Sequence, residues 1–201
     1  MMEDDDFELV RRCQSRDPDV YEAAFRELYE RYQDRVYNTA YRVLGSAGDA
    51  ADVSQEVFLT IFRKIGEFQF SSRFFTWIYR ITVNLSIDRR RRVNSAPHMV
   101  GDGATAGRAL AVLEDGSENP PDAWADAEFL ESRVQLAIMR LSPKLQATVV
   151  LRYIEDLPYS EIGDVMNCSI GTVKSRLNRA HRNLEQSLRP VIDEMAAGGE
   201  E

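Results

Sequence analysis

Residues 158–184 read PYSEIGDVMNCSIGTVKSRLNRAHRNL, and this stretch predicts two amphipathic helices joined by a tight turn. The first helix has apolar residues at positions i, i+3 and i+4, namely Ile162, Val165 and Met166. Ser169 is the expected N-cap of the second helix. The apolar stripe of that second helix comprises Val173, Leu177, Ala180 and Leu184. A short helix that supports a longer one across a tight turn is typical of a helix-turn-helix.

The opposite face of the second helix is cationic and polar. It carries Lys174, Ser175, Asn178, Arg179 and Arg182. No acidic residue occurs anywhere from Val165 to Leu184. Side chains of these types bind phosphates and base edges in the major groove of DNA. The alternative is a solvated surface helix, but solvated faces usually mix both signs of charge. The pattern therefore favours a helix that reads DNA.

Length, composition and cysteine content limit the remaining possibilities. A chain of 201 residues has room for one or two small domains, and its 44% hydrophobic content is sufficient for packed cores. No apolar run approaches the roughly 18 residues of a membrane span, and the acidic start MMEDDDFE is unlike a signal peptide. We therefore expect a cytoplasmic protein. Two isolated cysteines and two histidines offer no metal-ligand spacing, and no catalytic motif is recognisable, so we expect neither an enzyme nor a cofactor.

Most of the net charge of −8 lies in one segment. Residues 93–132 contain eight acidic residues and one base, so the rest of the chain is nearly neutral and its basic clusters are distinct. The segment is rich in Gly, Ala, Pro, Ser and Asp and has little periodicity. We therefore interpret residues 93–127 as a flexible linker between two helical domains. The alternative, a surface loop within one domain, would be unusually long for a compact domain.

The N-terminal part of the chain is predicted to be helical throughout. Apolar residues recur at helical spacing from Phe25 to Val43, and Gly45 is the expected end of that helix. Another helix begins at about Asp49, with a predicted buried stripe of Val53, Val57, Phe58, Ile61, Phe62 and Ile65. Off that stripe lie Asp52, Gln55, Glu56 and Thr60. Their pattern alone indicates an ordinary solvated face.

An aromatic and basic segment follows, in which six of the chain's nineteen aromatic residues fall between positions 68 and 79. Helical spacing predicts a core stripe of Phe74, Trp77, Ile78, Ile81 and Leu85. Phe68 and Phe70 precede this helix in a loop and are harder to place in a core. Hydrogen-bond donors and positive charge are added by Arg80, Asn84 and the run Arg89, Arg90, Arg91 and Arg92. Rings for stacking, an amide for base edges and arginines for phosphates suit single-stranded DNA, although the arginine run by itself often marks only a solvated domain end.

Three motifs in order carry a resemblance to a known family. They are DAADVSQEVFLTIFRK, FFTWIYRITVNLSIDRRRR and LSPKLQATVVLRYIEDLPYSEIGDVMNCSIGTVKSRLNRA, with the acidic segment between the second and third. Together they resemble the extracytoplasmic-function sigma factors of bacterial RNA polymerase, over roughly residues 20–92 and 128–188. The resemblance implies an all-α fold with sigma region 2 in residues 1–92, the linker in 93–127, sigma region 4 in 128–190 and a tail in 191–201.

The resemblance also implies roles for individual residues. Asp52, Gln55 and Glu56 match the helix that docks on the clamp of the polymerase β′ subunit, which reverses the solvated reading of that face. A set that matches the capture of unpaired −10 bases comprises Phe68, Phe70, Arg80, Asn84, Arg89 and Arg90. A set that matches the reader of the −35 duplex comprises Thr172, Lys174, Ser175, Arg176, Asn178, Arg179 and Arg182.

The implied function is an alternative sigma factor that directs RNA polymerase core to promoters and helps to melt the −10 element. The implied partners are the core enzyme, through its β′ clamp and β flap, promoter DNA and an anti-sigma factor. Two other classes remain open at this point. One is an autonomous helix-turn-helix regulator, which would need no docking helix. The other is a sigma mimic that sequesters a regulator through protein contacts, which would need no basic faces.

Overall fold

A computed structural model of the chain describes residues 3–95 and 122–198. Within these ranges the fold is all-α, as predicted, with no strand. The N-terminal bundle contains α1 (Glu3–Cys13), α2 (Pro18–Leu44), α3 (Ala47–Lys64), the 3-10 turn Ile65–Glu67 and α4 (Phe74–Ser95). The C-terminal bundle contains α5 (Asp122–Arg140), α6 (Pro143–Tyr153), α7 (Tyr159–Val165) and α8 (Ile170–Gly198). No helix in the described ranges is long and apolar enough to cross a membrane.

The connection between α2 and α3 shows how local sequence ends one helix and begins the next. Gly45 closes α2 in the left-handed conformation, with φ of 69°, and its amide donates to the carbonyl of Tyr41, as the sequence predicted. Ser46 then caps α3 by accepting a hydrogen bond from the amide of Asp49 at 3.3 Å. A Cβ atom at Gly45 would also collide with the side chain of Met139 in α5. Glycine is thus favoured here by its backbone conformation, and a larger residue would also displace the flexible end of the Met139 side chain.

The N-terminal bundle encloses one hydrophobic core, to which α1, α2, α3 and α4 all contribute. The predicted stripe of α3 is buried at Val53, Val57, Phe58, Ile61 and Ile65. The prediction is wrong for Phe62, which is 54% exposed. Its ring lies at the surface against Tyr21 and Phe25, with centroid distances of 5.5 and 5.4 Å. The helical period alone does not reveal how wide an arc of α3 is covered by its neighbours.

The helix-turn-helix is present as predicted. α7 and α8 are joined by residues 166–169, and Val173, Leu177 and Ala180 of α8 are fully buried. α8 continues beyond the predicted domain end at residue 190, through Pro190, to Gly198. The predicted tail therefore begins inside a helix. The boundaries of the predicted linker also fall within helices, since α4 extends to Ser95 and α5 begins at Asp122. The remainder of that linker, residues 96–121, lies outside the described residues.

A second hydrophobic core joins the two bundles. From α2 and α4 it receives Val43, Tyr79, Val83 and Ile87, and from α6, α7 and α8 it receives Val150, Leu151, Ile162, Val165 and Leu177, among others. The predicted pair of helical domains is thus packed into one body in this conformation. This contact brings the helix-turn-helix directly against α4, which carries most of the predicted −10 residues.

Candidate nucleic-acid and polymerase interfaces

The exposed face of α8 has the composition of a DNA-reading helix. Its outward side chains are those of Lys174, Ser175, Asn178, Arg179 and Arg182, all exposed. Ser169 caps the helix as predicted, since its Oγ accepts a hydrogen bond from the amide of Thr172 at 3.2 Å. With an apolar back buried and a polar cationic front free, α8 can enter a major groove without losing packing.

Two members of the predicted −35 set differ from the rest. The Thr172 hydroxyl lies 2.9 Å from the Ser169 hydroxyl and belongs to the helix cap. Arg176 is half-buried and turns back toward the turn, with Nη1 at 3.4 Å from Sγ of Cys168 and 3.6 Å from Sδ of Met166. In this conformation Arg176 stabilises the turn instead of projecting from the reading face.

The turn itself is held by close backbone contacts. Asn167 adopts the left-handed conformation, with φ of 47°, and the amide of Cys168 donates to the carbonyl of Gly163 at 2.9 Å. A Cβ atom on Gly163 would lie only 2.8 Å from the carbonyl oxygen of Cys168. A larger residue at position 163 would therefore push the turn away from α7. The angle between α7 and α8 depends on this glycine.

The predicted −10 loop contains one buried and one accessible phenylalanine. Phe68 is only 8% exposed, and its ring packs against Phe70, Phe74 and Trp77 at centroid distances of 5.1, 5.4 and 5.4 Å. The expectation that Phe68 is hard to place in a core is therefore wrong, because the loop folds its ring into the core in this conformation, while its part in −10 capture stays a prediction. Phe70 is half-buried and has a φ of 56°, which is rare for a bulky residue. Phe70 is the more exposed of the two rings in this loop.

Arg80 and Asn84 lie where α4 meets the helix-turn-helix. The guanidinium of Arg80 donates to the carbonyl oxygen of Asp164 in α7 at 2.7 and 3.1 Å. Asn84 is exposed and lines a polar cavity shared with Asn167 and Arg176 of the C-terminal bundle. Both predicted −10 residues therefore face the other bundle in this conformation, and Arg80 is already engaged by it.

Arg89 and Arg90 both make contacts within the protein. Arg89 forms ion pairs with Asp49 at 2.7 Å and Asp52 at 3.1 Å, which ties α4 to α3. Arg90 donates to the carbonyl of Val43 at 2.7 Å and to Gln146 and the carbonyl of Met139. Burial lowers the pKa of Arg90 below its usual value. In this conformation each of the two arginines joins helices, and their predicted contact with −10 DNA stays a prediction.

A polar contact that the sequence did not reveal joins the two bundles at Glu155. Its carboxylate accepts a hydrogen bond from the Thr39 hydroxyl at 2.7 Å and a short one from the Tyr79 hydroxyl. Thr39 and Tyr79 are buried, at 0% and 4% exposure. Burial, and then the bond to Glu155, raises the pKa of Tyr79. No pattern pointed to Glu155, because its partners lie 116 and 76 residues away in the chain.

The predicted polymerase-binding residues lie on an exposed face of α3. Gln55 and Glu56 are exposed, and Asp52 is exposed while paired with Arg89. Beside them runs an open groove between α2 and α3, which the sequence reasoning missed. Its apolar lining comprises Phe25, Tyr29, Tyr37, Phe58, Leu59 and Phe62. The exposure of Phe62, assigned to the core from its spacing, is the feature that identifies this groove.

Neither cysteine belongs to a metal site in the part of the chain that the structure describes, where no cluster of three potential metal ligands occurs. Cys13 is buried, and this burial raises the pKa of its thiol to about 11. Cys168 is half-buried in the turn of the helix-turn-helix.

Each of the two bundles matches a known family model. Residues 28–96 match the family model of sigma-70 region 2, and residues 131–184 match that of sigma-70 region 4. The chain is similar to the ECF RNA polymerase sigma factor SigW of Bacillus subtilis, with 36% identity over 84% of this chain and 90% of that protein. It is also similar to the RNA polymerase sigma-H factor of Pseudomonas aeruginosa, with 31% identity over 96% and 99% of the two chains. The ECF sigma-E factor of Escherichia coli is 32% identical over 92% and 94%.

Solved structures share the fold. CnrH, in complex with the cytosolic domain of CnrY, superposes with a TM-score of 0.63 at 21% identity, covering 90% of this chain and 96% of that one. RpoE of Bartonella quintana, in complex with the anti-sigma factor NepR, superposes with a TM-score of 0.59 at 19% identity, covering 82% and 96%. From the sequence relatives, the two family models and the helix-turn-helix described above, we conclude that this chain belongs to the ECF family of RNA polymerase sigma factors.

Proposed function

We propose that this sigma factor directs RNA polymerase core to promoters by reading −35 duplex with α8 and capturing unpaired −10 bases at the loop before α4. The observation that carries the proposal is the face of α8, where five exposed polar or cationic residues lie opposite the buried side chains of Val173, Leu177 and Ala180. The factor acts as an initiation subunit and not as an enzyme. We place it in the cytoplasm with its polymerase.

The −35 reader is formed by Lys174, Ser175, Asn178 and Arg179, with Arg182 toward the phosphates. Arg179→Ala should weaken binding of the full chain to −35 duplex by about 1–3 kcal/mol if the arginine contacts a base edge, and should change sequence preference at that position. If it contacts only phosphate, affinity should fall for all sequences and the salt slope should shrink by about one unit. Arg189→Ala, an exposed arginine farther along the same helix, is the matched control.

The −10 reader is formed by Phe70 and Asn84, with Arg80 beside them. The names −10 and −35 imply a separation of about 25 base pairs, or roughly 85 Å of duplex at 3.4 Å per base pair. In the structure Arg80 is bonded to Asp164 of α7, so the helix that carries the −10 residues packs against the bundle that carries the −35 reader. The two bundles therefore have to separate before one chain can occupy both promoter elements. Asn84→Ala should impair opening of a duplex promoter more than binding to a template already mismatched across −10.

Core polymerase docks, in this proposal, on Asp52, Gln55 and Glu56 and the adjacent apolar groove. Gln55→Ala with Glu56→Arg should weaken binding to core polymerase while helical circular dichroism stays unchanged, since both side chains are exposed. Glu8→Arg reverses an exposed charge on α1, outside this face, and serves as the control. Unchanged core affinity in the first variant would remove α3 from the docking surface.

Run-off transcription from genomic fragments, with core polymerase and with or without this chain, tests the function as a whole. We expect transcripts from a discrete set of fragments only when the chain is present. An anti-sigma factor is the expected regulator, since the sigma factor RpoE of Bartonella quintana was solved in complex with the anti-sigma factor NepR. Transcripts independent of the chain would overturn the proposal.

A further inference from the structure

The N-terminal helix makes a directed contact with the backbone of the −10 loop. Gln14 follows the last residue of α1, and its side-chain amide nitrogen donates to two carbonyl oxygens, that of Ile65 at 2.8 Å and that of Phe68 at 2.9 Å. Those carbonyls flank the 3-10 turn from which the loop emerges. One amide thus uses both of its N–H groups to hold the start of the loop.

A second contact from the same helix reaches the loop farther along. The centroid of the Phe7 ring lies 4.6 Å from that of the Phe70 ring. The guanidinium of Arg11 lies over the same Phe7 ring, 4.8 Å from its centroid. Positions 7, 11 and 14 are spaced i, i+4 and i+7. They form a stripe separate from Leu9, Val10 and Cys13, which are buried in the core.

The loop needs such support because its conformation is unfavourable by itself. Phe70 is held at a φ of 56°, in the left-handed region that bulky residues avoid. A conformation of this kind persists only where neighbouring groups determine it, and such residues cluster at functional sites. The neighbours here are the Gln14 amide, which holds the carbonyls at the start of the loop, and the rings of Phe7 and Phe68, which pack against Phe70.

We propose that Gln14 and Phe7 are positioning residues for −10 base capture: α1 holds the loop in the conformation in which Phe70 presents its ring to an unpaired base. The inference rests on the proposed role of this loop and adds a determinant of base choice that lies more than fifty residues away in the chain. Contact with core polymerase and with −35 DNA should not depend on it, because those surfaces belong to α3 and α8.

The test uses holoenzyme reconstituted from core polymerase and the full chain, on a promoter found by run-off transcription. Templates pre-melted across −10 carry each of the four bases in turn at the non-template −10 positions, and open-complex affinity is measured for each. Gln14→Met keeps the length of the side chain but removes both donors. This variant should reduce the ratio of open-complex affinities between the best and the worst base by about tenfold. A tenfold change corresponds to part of the free energy that two neutral hydrogen bonds contribute. Phe7→Ala should reduce the same ratio without touching the Gln14 contact.

Arg12→Met is the matched control, since Arg12 joins α1 to α2 through Glu27 at 2.6 Å and does not touch the loop. It should leave the base ratio unchanged, whereas all three variants should bind core polymerase and −35 duplex within about twofold of the wild type. Wild-type base preference in both Gln14→Met and Phe7→Ala would overturn the inference.

Phe70→Ala separates failure of this inference from failure of the proposed function. If Phe70→Ala flattens the base preference while the α1 variants do not, the loop reads the base but α1 does not position it. If Phe70→Ala also leaves the preference intact, the loop is not the reader, and the inference falls together with the proposed role of the loop. Faster hydrogen exchange at residues 66–73 in Gln14→Met would accompany the expected result.

Discussion

The contact between Tyr79 and Glu155 allows a quantitative test of how the two bundles are held together. Tyr79→Phe removes a buried hydroxyl that donates to the Glu155 carboxylate, while Thr39 still donates to the same carboxylate. Glu155→Ala removes the acceptor. A hydrogen bond to a charged group contributes about 1.5–3 kcal/mol, and Glu155 is only half-buried, so we expect the lower part of that range.

A double-mutant cycle isolates this contact from other effects of each substitution. The free energy of unfolding is measured by urea denaturation for the wild type, both single variants and the double variant. We expect a coupling free energy of about 1.5 kcal/mol between Tyr79 and Glu155. Tyr37 is partly exposed, and its ring stacks on that of Tyr41. Tyr37→Phe removes only its hydroxyl and should leave the free energy of unfolding nearly unchanged.

The same substitutions should shift the balance between closed and open forms of the free chain. Since about 1.4 kcal/mol corresponds to a factor of ten, either substitution should raise the ratio of open to closed chains by roughly tenfold or more. The radius of gyration from X-ray scattering should increase accordingly. A coupling free energy below about 0.5 kcal/mol, together with an unchanged radius of gyration, would refute the reasoning, because the bundles would then not meet through this contact in solution.

Three further predictions concern stability and titration. Gly163→Ala should destabilise the chain by about 1–3 kcal/mol in urea unfolding, because its Cβ would lie 2.8 Å from a backbone carbonyl of the turn, whereas Gly171→Ala, whose Cβ would have no neighbour nearer than 3.7 Å, should be neutral or stabilising. The thiol of Cys13, with a pKa of about 11, should be alkylated at pH 8 about a hundredfold more slowly than an unperturbed thiol, as mass spectrometry would show; equal rates would mean that α1 is not docked. Burial, and then a hydrogen bond to a carboxylate, raises the pKa values of Tyr32 and Tyr79, so these two tyrosines should ionise last in an absorbance titration. Since unfolded tyrosines ionise near pH 10, the contribution of these two tyrosines to folding stability should be constant below that pH and fall above it, with a shallower fall in Tyr79→Phe.

Sequence by itself determined several of the helices, the helix ends at Gly45 and Ser169, and the exposed polar face of α8. Gly45 and Ser169 were assigned from the residues around them, and the buried stripe of Val173, Leu177 and Ala180 from its period. These features depend on interactions within about four residues along the chain, which a helical pattern expresses directly. The order of three motifs was also enough to indicate the family.

Tertiary structure alone decided which polar and aromatic residues are available. Phe62 was expected in the core but is exposed in a groove, whereas Phe68 was expected outside the core but is buried. Arg90, assigned to DNA, is enclosed between the bundles, and Glu155, assigned to nothing, holds them together. Each outcome depends on partners tens of residues away, and the spacing of residues along one helix contains no information about which other helix covers it. Periodicity along a helix specifies which residues share an apolar or a polar face. Packing between helices that are distant in sequence decides whether that face is buried or exposed.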